Sequence, residues 1–340
     1  VVDEANLKVS NSPVDGYFLS AQSGNSGGLT WAQVSAVVTS DGSGNTVAGT
    51  TAGDSITSGS NNSAFGKDEL TANTTTSENT AVGKSALAAN TTGQYNTAVG
   101  SAALDANTTA SENTAMGYGA LTSNTTGASN TALGRGAMRD NTTSNNNTAV
   151  GAFALDANTT GGDNVAIGKS TLPTNTTGGF NTACGKGALN QNTTASNNVA
   201  VGFDAMVLNT TGATCTAVGT EALKRNTTGH DNTCIGYRAG QYLQTSGGSN
   251  GHENTIIGGL AGDSLTTGHN NVCLGYDSEP SSSTSNNSVT LGNSSTSDLR
   301  CNDTSISSLS DQRDKTEIID LPIGLDFINA VRPVKFKWAS

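Results

Sequence analysis

The sequence is poor in the residues from which large cores are made. Phe, Trp and Tyr together supply 4% of its 340 positions, and there are only three methionines and five prolines. So few large side chains leave each stretch of chain little apolar area to bury. Charge is also sparse, at 13% of residues, and 27 acids outweigh 16 bases to leave a net charge of −11. There is no basic stripe. Neutralisation of phosphates by Lys and Arg dominates nucleic-acid affinity, so DNA and RNA are excluded as partners. No apolar run approaches the roughly 20 residues of a membrane-crossing helix, so no membrane insertion is expected. Neither a signal peptide nor an initiator Met opens the chain, so Val1 is read as not being the true start. The five cysteines, Cys184, Cys215, Cys234, Cys273 and Cys301, fit neither a disulfide framework nor a zinc-site spacing. They are read as small buried apolar residues of a protein made in a reducing cytoplasm.

What the chain does have is one phrase, written again and again. Asn79, Asn96, Asn113, Asn130, Asn147, Asn164, Asn181 and Asn198 each open a copy at an interval of 17 residues. The register extends back to Asn62 and Asn45 and forward through Cys215 to Asn232. Five extra residues precede Asn254, after which Asn271 and Ser288 resume the interval. That makes fifteen copies of N-T-A-V-G-x-x-A-L-x-x-N-T-T-G-x-x. A period of 17 is too short for paired helices, and Asn, Thr, Gly and Ser favour turns and strands over helix interiors. The unit reads as one coil of an all-β parallel solenoid or roll, with turns at the glycine and at Asn-Thr-Thr-Gly. Fifteen coils at the ~4.8 Å strand spacing predict a rod on the order of 70 Å long. Disorder is the competing reading, given a mean hydropathy of −0.32. Against it, the columns Val82, Val99, Met116, Leu133, Val150, Ile167 and Leu87, Leu104, Leu121, Met138, Leu155, Leu172 stay apolar copy after copy.

Ala81 and Val82 are neighbours, and on a strand neighbours point to opposite faces. One fills the coil; the other leaves an apolar stripe along the whole rod, which marks an interface. Side-by-side association in a closed ring avoids runaway growth, and two or three chains both satisfy this physics.

The unit resembles the head repeats of trimeric autotransporter adhesins, whose shorter S-V-A-I-G-x-x-A phrase is closest to Asn164-Val165-Ala166-Ile167-Gly168 and Asn198-Val199-Ala200-Val201-Gly202. The resemblance covers roughly residues 45–295 and departs in period, through the Asn-Thr-Thr insertion. It implies a homotrimer and a left-handed parallel β-roll.

Residues 1–44 precede the repeats. Within them Tyr17-Phe18-Leu19 and Leu29-Thr30-Trp31, each after a Pro or Gly turn, read as a strand-turn-strand unit. It resembles connector units frequent in bacteriophage tail fibres. The repeats fill 45–300, and at 301–340 the composition changes. Leu325, Ile328 and Val331 have helical spacing before Pro333, and Val334, Phe336 and Trp338 alternate as in a strand. Leu309 to Trp338 resembles the opening of the endosialidase-type intramolecular chaperone domain, a self-cleaving family at the C-terminus of phage tail spikes and fibres. Ser310-Asp311-Gln312-Arg313-Asp314-Lys315, Gly324-Leu325, Ile328 and Arg332-Pro333-Val334 through Trp338 carry the likeness. It implies the start of a small α+β domain, with Ser310 as nucleophile, Lys315 as its base, and cleavage between Ser310 and Asp311. A desolvated lysine is neutral enough to take a serine proton.

Other patterns carry less. Asn107-Thr108-Thr109, Asn124-Thr125-Thr126 and Asn158-Thr159-Thr160 are formal glycosylation sequons, and threonine columns also occur in ice-binding solenoids. Asparagines bonding from coil to coil is the preferred reading. No Gly-rich loop between strand and helix supports a nucleotide site, and no cofactor is expected. His230, His252 and His269 stand in consecutive copies, two residues before the opening Asn, and should stack about 5 Å apart. Facing a threefold axis they are a candidate metal site; facing outward, the favoured reading, they are a polar ladder.

The sequence thus points to a structural trimeric fibre or spike of a phage tail. The implied partners are upstream tail components and a host-surface receptor, glycan or protein. Its place is the virion, after assembly in the host cytoplasm. A bacterial trimeric surface adhesin is the alternative, and an ice-binding solenoid a minor one.

Overall fold

The structure is a computed structural model that describes residues 17–21, 29–33, 39–244, 251–298 and 300. The chain divides into two compact units, Val1–Ser295 and Thr296–Ser340. Nearly all of the second, including the expected helix and strand after Gly324, lies outside the described residues.

In the first unit, strand β1 (Tyr17–Ala21) pairs antiparallel with β2 (Leu29–Gln33), the strand-turn-strand unit read from the sequence. The short β3 (Thr39–Ser40) pairs antiparallel with β4 (Thr46–Ala48). From β4 onward, fifteen three-residue strands stack in parallel and in strict sequence order. Examples are β6 (Thr80–Val82), β7 (Thr97–Val99), β11 (Val165–Ile167) and β18 (Val289–Leu291). Equivalent residues pair from coil to coil, as in Ala81↔Ala98 and Ala98↔Ala115. The fold is a β-solenoid, and no described residue is helical. The insertion before Asn254 does not break it, because β15 (Thr233–Ile235) still pairs in register with β16 (Thr255–Ile257).

Each coil contains one regular strand, and the rest of the circuit is turns. The reason lies in the backbone. In the coil opened by Asn79, Ser85 (φ 60°), Leu87 (φ 51°) and Tyr95 (φ 59°) adopt left-handed angles, which no continuing strand tolerates. The angle at Leu87 also breaks strand alternation, so that Ala86 and Leu87 both point inward. Hydrogen bonding nevertheless continues between coils around these turns, as in Leu87 N–H to Ala103 O at 3.1 Å and Thr91 N–H to Thr108 O at 2.8 Å. At Gly134 (φ +138°) a Cβ would lie 2.7 Å from the backbone of Gly151, so this corner admits only glycine.

The interior is thin. The coil from Asn79 buries two alanines, one leucine, the asparagines Asn79 and Asn90, and Gly93. The asparagines form two buried ladders. In the first, Asn164 Oδ1 accepts from the backbone N–H (3.0 Å) and Nδ2 (3.1 Å) of Asn181 in the next coil. Asn164 Nδ2 donates to Asn147 Oδ1 at 3.2 Å and to Gly178 O at 2.9 Å. The second ladder runs through Asn-Thr-Thr, with Asn107 Nδ2 donating to Asn90 Oδ1 at 2.9 Å and to Ala110 O at 3.0 Å. It stops at Asn226, whose Oδ1 has no partner among the described residues, because Leu243 holds the next position. Where the ladder is missing, core volume moves. Gly53 with Ile56, Gly240 with Leu243 and Gly262 with Leu265 replace the usual Leu-and-Asn pair, so each of these coils keeps a large side chain at one of the two positions, and the coil opened by Asn254 buries Ile256 besides.

The first ladder is interrupted once. Cys215 stands in place of asparagine; its thiol donates to Gly229 O at 3.3 Å, and its sulfur receives Asn232. Two substitutions probe the ladder by urea denaturation. Asn164→Ala strands buried donors and acceptors in three coils and should cost about 2–4 kcal/mol. Cys215→Asn completes the ladder and should stabilise by about 1 kcal/mol. A neutral Asn164→Ala would remove the ladder from any role in stability.

Candidate functional surface

The strands set the sidedness of the molecule. In Thr80-Ala81-Val82 the alanine is buried and its two neighbours face out, and the pattern repeats through most of the stack. The outward positions therefore form two columns on one sheet face, one largely threonine and one apolar. The apolar column runs through Phe65, Met116, Ile167, Ile235, Ile257 and Leu291, with Met116 44% and Leu291 49% exposed. This is the open stripe expected from the Ala-Val adjacency, and the alanine is the member that turns inward.

The histidine column forms as its spacing predicts. Ring centroids of His230 and His252 lie 4.9 Å apart, and those of His252 and His269 lie 5.1 Å apart, in nearly parallel planes. The column sits on the turn before the strand, with His230 Nδ1 2.7 Å from Asp231 Oδ2. Within one chain, parallel rings a strand spacing apart do not converge on a single ion, which needs bonds of about 2.0–2.1 Å from each.

Cys215, Cys234 and Cys273 are buried and unbridged, with Ile256 between the last two in the register. Burial pushes the Cys215 and Cys273 thiols up to about 11 and Cys234 well above its ordinary value. Cys184 departs from the reading of every cysteine as buried. It occupies the outward apolar column and is half-buried. Cys301, Ser310, Asp311 and Lys315 lie outside the described residues.

The threonine hydroxyls of the Asn-Thr-Thr turns are tied into the stack. Thr91 Oγ1 donates to Thr108 O at 2.9 Å and Thr125 Oγ1 to Thr142 O at 3.0 Å. The adjoining asparagines are buried, as the coil-to-coil reading requires.

Sequence reasoning missed two polar features. Glu221 gathers Lys224 Nζ (2.6 Å), Arg238 Nε (2.7 Å) and Gln241 Nε2 (3.1 Å), clamping two coils together. The Lys224 hydrogen bond, followed by that of Arg238, holds its carboxyl below the usual range. Glu69 is the opposite case. It takes the place of the inward alanine, is fully buried, and neither carboxyl oxygen has a well-formed hydrogen bond among the described residues. Desolvation raises its proton affinity, against a smaller opposing pull from the backbone of Glu69 and Lys67. A glutamate breaking the alanine column was the available signal.

Comparison with known proteins finds no matching family model, curated protein or solved structure.

Because Glu69 is harder to ionise folded than unfolded, its ionisation costs stability above the ordinary glutamate value of 4.5, and the cost fades as pH falls through its raised folded value. Glu69→Ala should therefore stabilise at pH 7, by on the order of 1–3 kcal/mol, and by less at pH 4. Urea titrations at the two pH values measure this; an equal effect at both would mean that the carboxylate is adequately solvated.

Proposed function

We propose that this chain is the shaft of a trimeric phage tail fibre or spike, serving host-surface attachment, with a self-releasing chaperone domain beginning at Ser310. The observation that carries side-by-side association is the thin coil; the number three comes from the likeness to trimeric adhesin heads. In most coils a single leucine-sized residue fills the interior, while an apolar column as long as the stack stays open on the sheet face. Burying that column against copies of the same chain supplies apolar area that a single coil lacks. The attachment role and the virion location rest on the likeness of the repeats and of residues 309–338 to fibre and adhesin sequences. In this reading the receptor, a glycan or protein, meets the rod's outer turns, and upstream tail components meet its N-terminal side.

The chemistry is single-turnover. In this reading Lys315 takes the proton of a Ser310 hydroxyl, and the activated oxygen attacks the carbonyl of the Ser310–Asp311 bond. Lys315 returns the proton to the departing Asp311 amine, and water then hydrolyses the acyl-serine to leave the Ser310 carboxylate. The chaperone then leaves a shaft that is held by its inter-coil bonds.

Analytical ultracentrifugation tests the assembly: the shaft should sediment as a trimer in which outward-facing Cys184 resists alkylation. A stable monomer at micromolar concentration with the solenoid intact, by circular dichroism, would contradict it. For processing, the full-length chain should yield two fragments divided after Ser310, and Ser310→Ala and Lys315→Ala should each leave one uncut chain. Cleavage of Ser310→Ala at the same bond would show that another group is the nucleophile.

A further inference from the structure

The outward sheet face has two borders, and they differ in charge. One border is the residue just before each opening asparagine; the other is the residue just after the conserved glycine. The first carries Glu78, Glu112, Asp163, Asp231 and Glu253, and no lysine or arginine. The second carries Lys67, Lys84, Arg135, Lys169 and Lys186, and no acid. All ten are exposed. In a chain with 27 acids and 16 bases, a column of bases free of acids runs against the composition.

Along the acidic border the carboxylates are held in place by the coil before or after. Asn61 Nδ2 donates to Glu78 Oε1 at 2.9 Å, Asn146 Nδ2 to Asp163 Oδ1 at 3.2 Å, and Ser129 Oγ to Glu112 Oε2 at 3.0 Å. None of these three carboxylates, and neither Lys84 nor Lys169, makes an ion pair among the described residues. Glu78 and Lys84 flank the same strand, as do Asp163 and Lys169. The full width of the sheet, roughly 15–20 Å for six residues, separates each pair, so it cannot close within one chain.

It can close between chains. Turning copies about an axis parallel to the stack, with their sheet faces inward, sets the acidic border of one against the basic border of the next at the same height. Turning them face to face about an axis across the stack sets acid against acid and base against base. A closed ring also allows no shift along its axis. We infer that copies of this chain associate in parallel and in register around an axis along the coil stack, with the Glu78–Asp163 border of each against the Lys84–Lys169 border of the next. At the heights of Glu112 and Asp231 the residues facing them are Tyr118 and Tyr237, whose phenols are hydrogen-bond donors. The inference rests on the side-by-side assembly proposed above and adds its polarity.

Charge reversal on the full chain tests it, read as the concentration at half-assembly by ultracentrifugation. Glu78→Lys with Asp163→Lys, and separately Lys84→Glu with Lys169→Glu, should each raise that concentration about tenfold or more at low salt. All four substitutions together should restore it. The first pair moves the net charge of −11 toward zero and the second moves it away, so a general charge effect would shift the two variants in opposite directions. The differences should shrink in 1 M NaCl, where screening acts within about 3 Å. Assembly unchanged by either reversal, or lost and not restored by combining them, would overturn the border pairing while leaving a trimer standing. A monomeric wild type would overturn both proposals. Carbodiimide coupling in mixed isotope-labelled wild-type chains is independent of variant folding. It should join Glu78 to Lys84 between chains, and coupling of Glu78 only to lysines of distant coils would overturn the register.

Discussion

The bond on which this molecule depends is the one from a buried asparagine to the same asparagine 17 residues on. A solenoid coil must close on itself and still present satisfied backbone groups to the coils above and below. The asparagine amide does both jobs at once. Its oxygen receives the next coil's N–H, and its nitrogen donates to the previous asparagine and to a carbonyl that has turned into the interior. Such a group is costly to bury alone and stable in a complete ladder. The repeat therefore keeps its asparagines for the same reason that other proteins keep core leucines.

This choice of interior has consequences for everything outside it. A coil filled by asparagine, alanine, glycine and a single leucine is narrow, and its strand is only three residues wide. Little apolar area is left to bury within one chain, and half of what the strand carries faces outward. The same economy makes the stack local. Every coil touches only its neighbours, so an irregular coil can be accommodated where volume is conserved, as at Gly240 with Leu243. The route from sequence to the proposed function thus runs through a shortage: too thin a core leads to an open face, and that open face is what the proposed assembly would cover.

Much of the fold was legible because period and column are one-dimensional properties. The interval of 17, the glycine corner, the opposite facing of Ala and Val and the stacked histidines all follow from counting, whereas which of the two turns inward did not. The left-handed angle at Leu87 and its equivalents was not legible, since leucine rarely adopts it and nothing in the residue type announces it. That angle, more than composition, limits each coil to one strand and turns Ala86 and Leu87 to the same side. Cys184 was misplaced for a related reason, because a cysteine's character does not say which column it stands in. The clamp at Glu221 and the buried carboxyl of Glu69 depend on neighbours from other coils. The Ser310 and Lys315 pair rests on likeness alone.

Amide hydrogen exchange on the intact protein tests the central claim most directly. If the asparagine ladders hold the stack, the backbone N–H groups of Asn62 through Asn198, each bonded to an asparagine oxygen of the preceding coil, should be protected together, at rates set by opening of whole coils. Exposed amides outside this network should exchange orders of magnitude faster. Uniform exchange at the rate of an unfolded chain along the repeats, or protection confined to the three-residue strands with the asparagine amides open, would contradict the account.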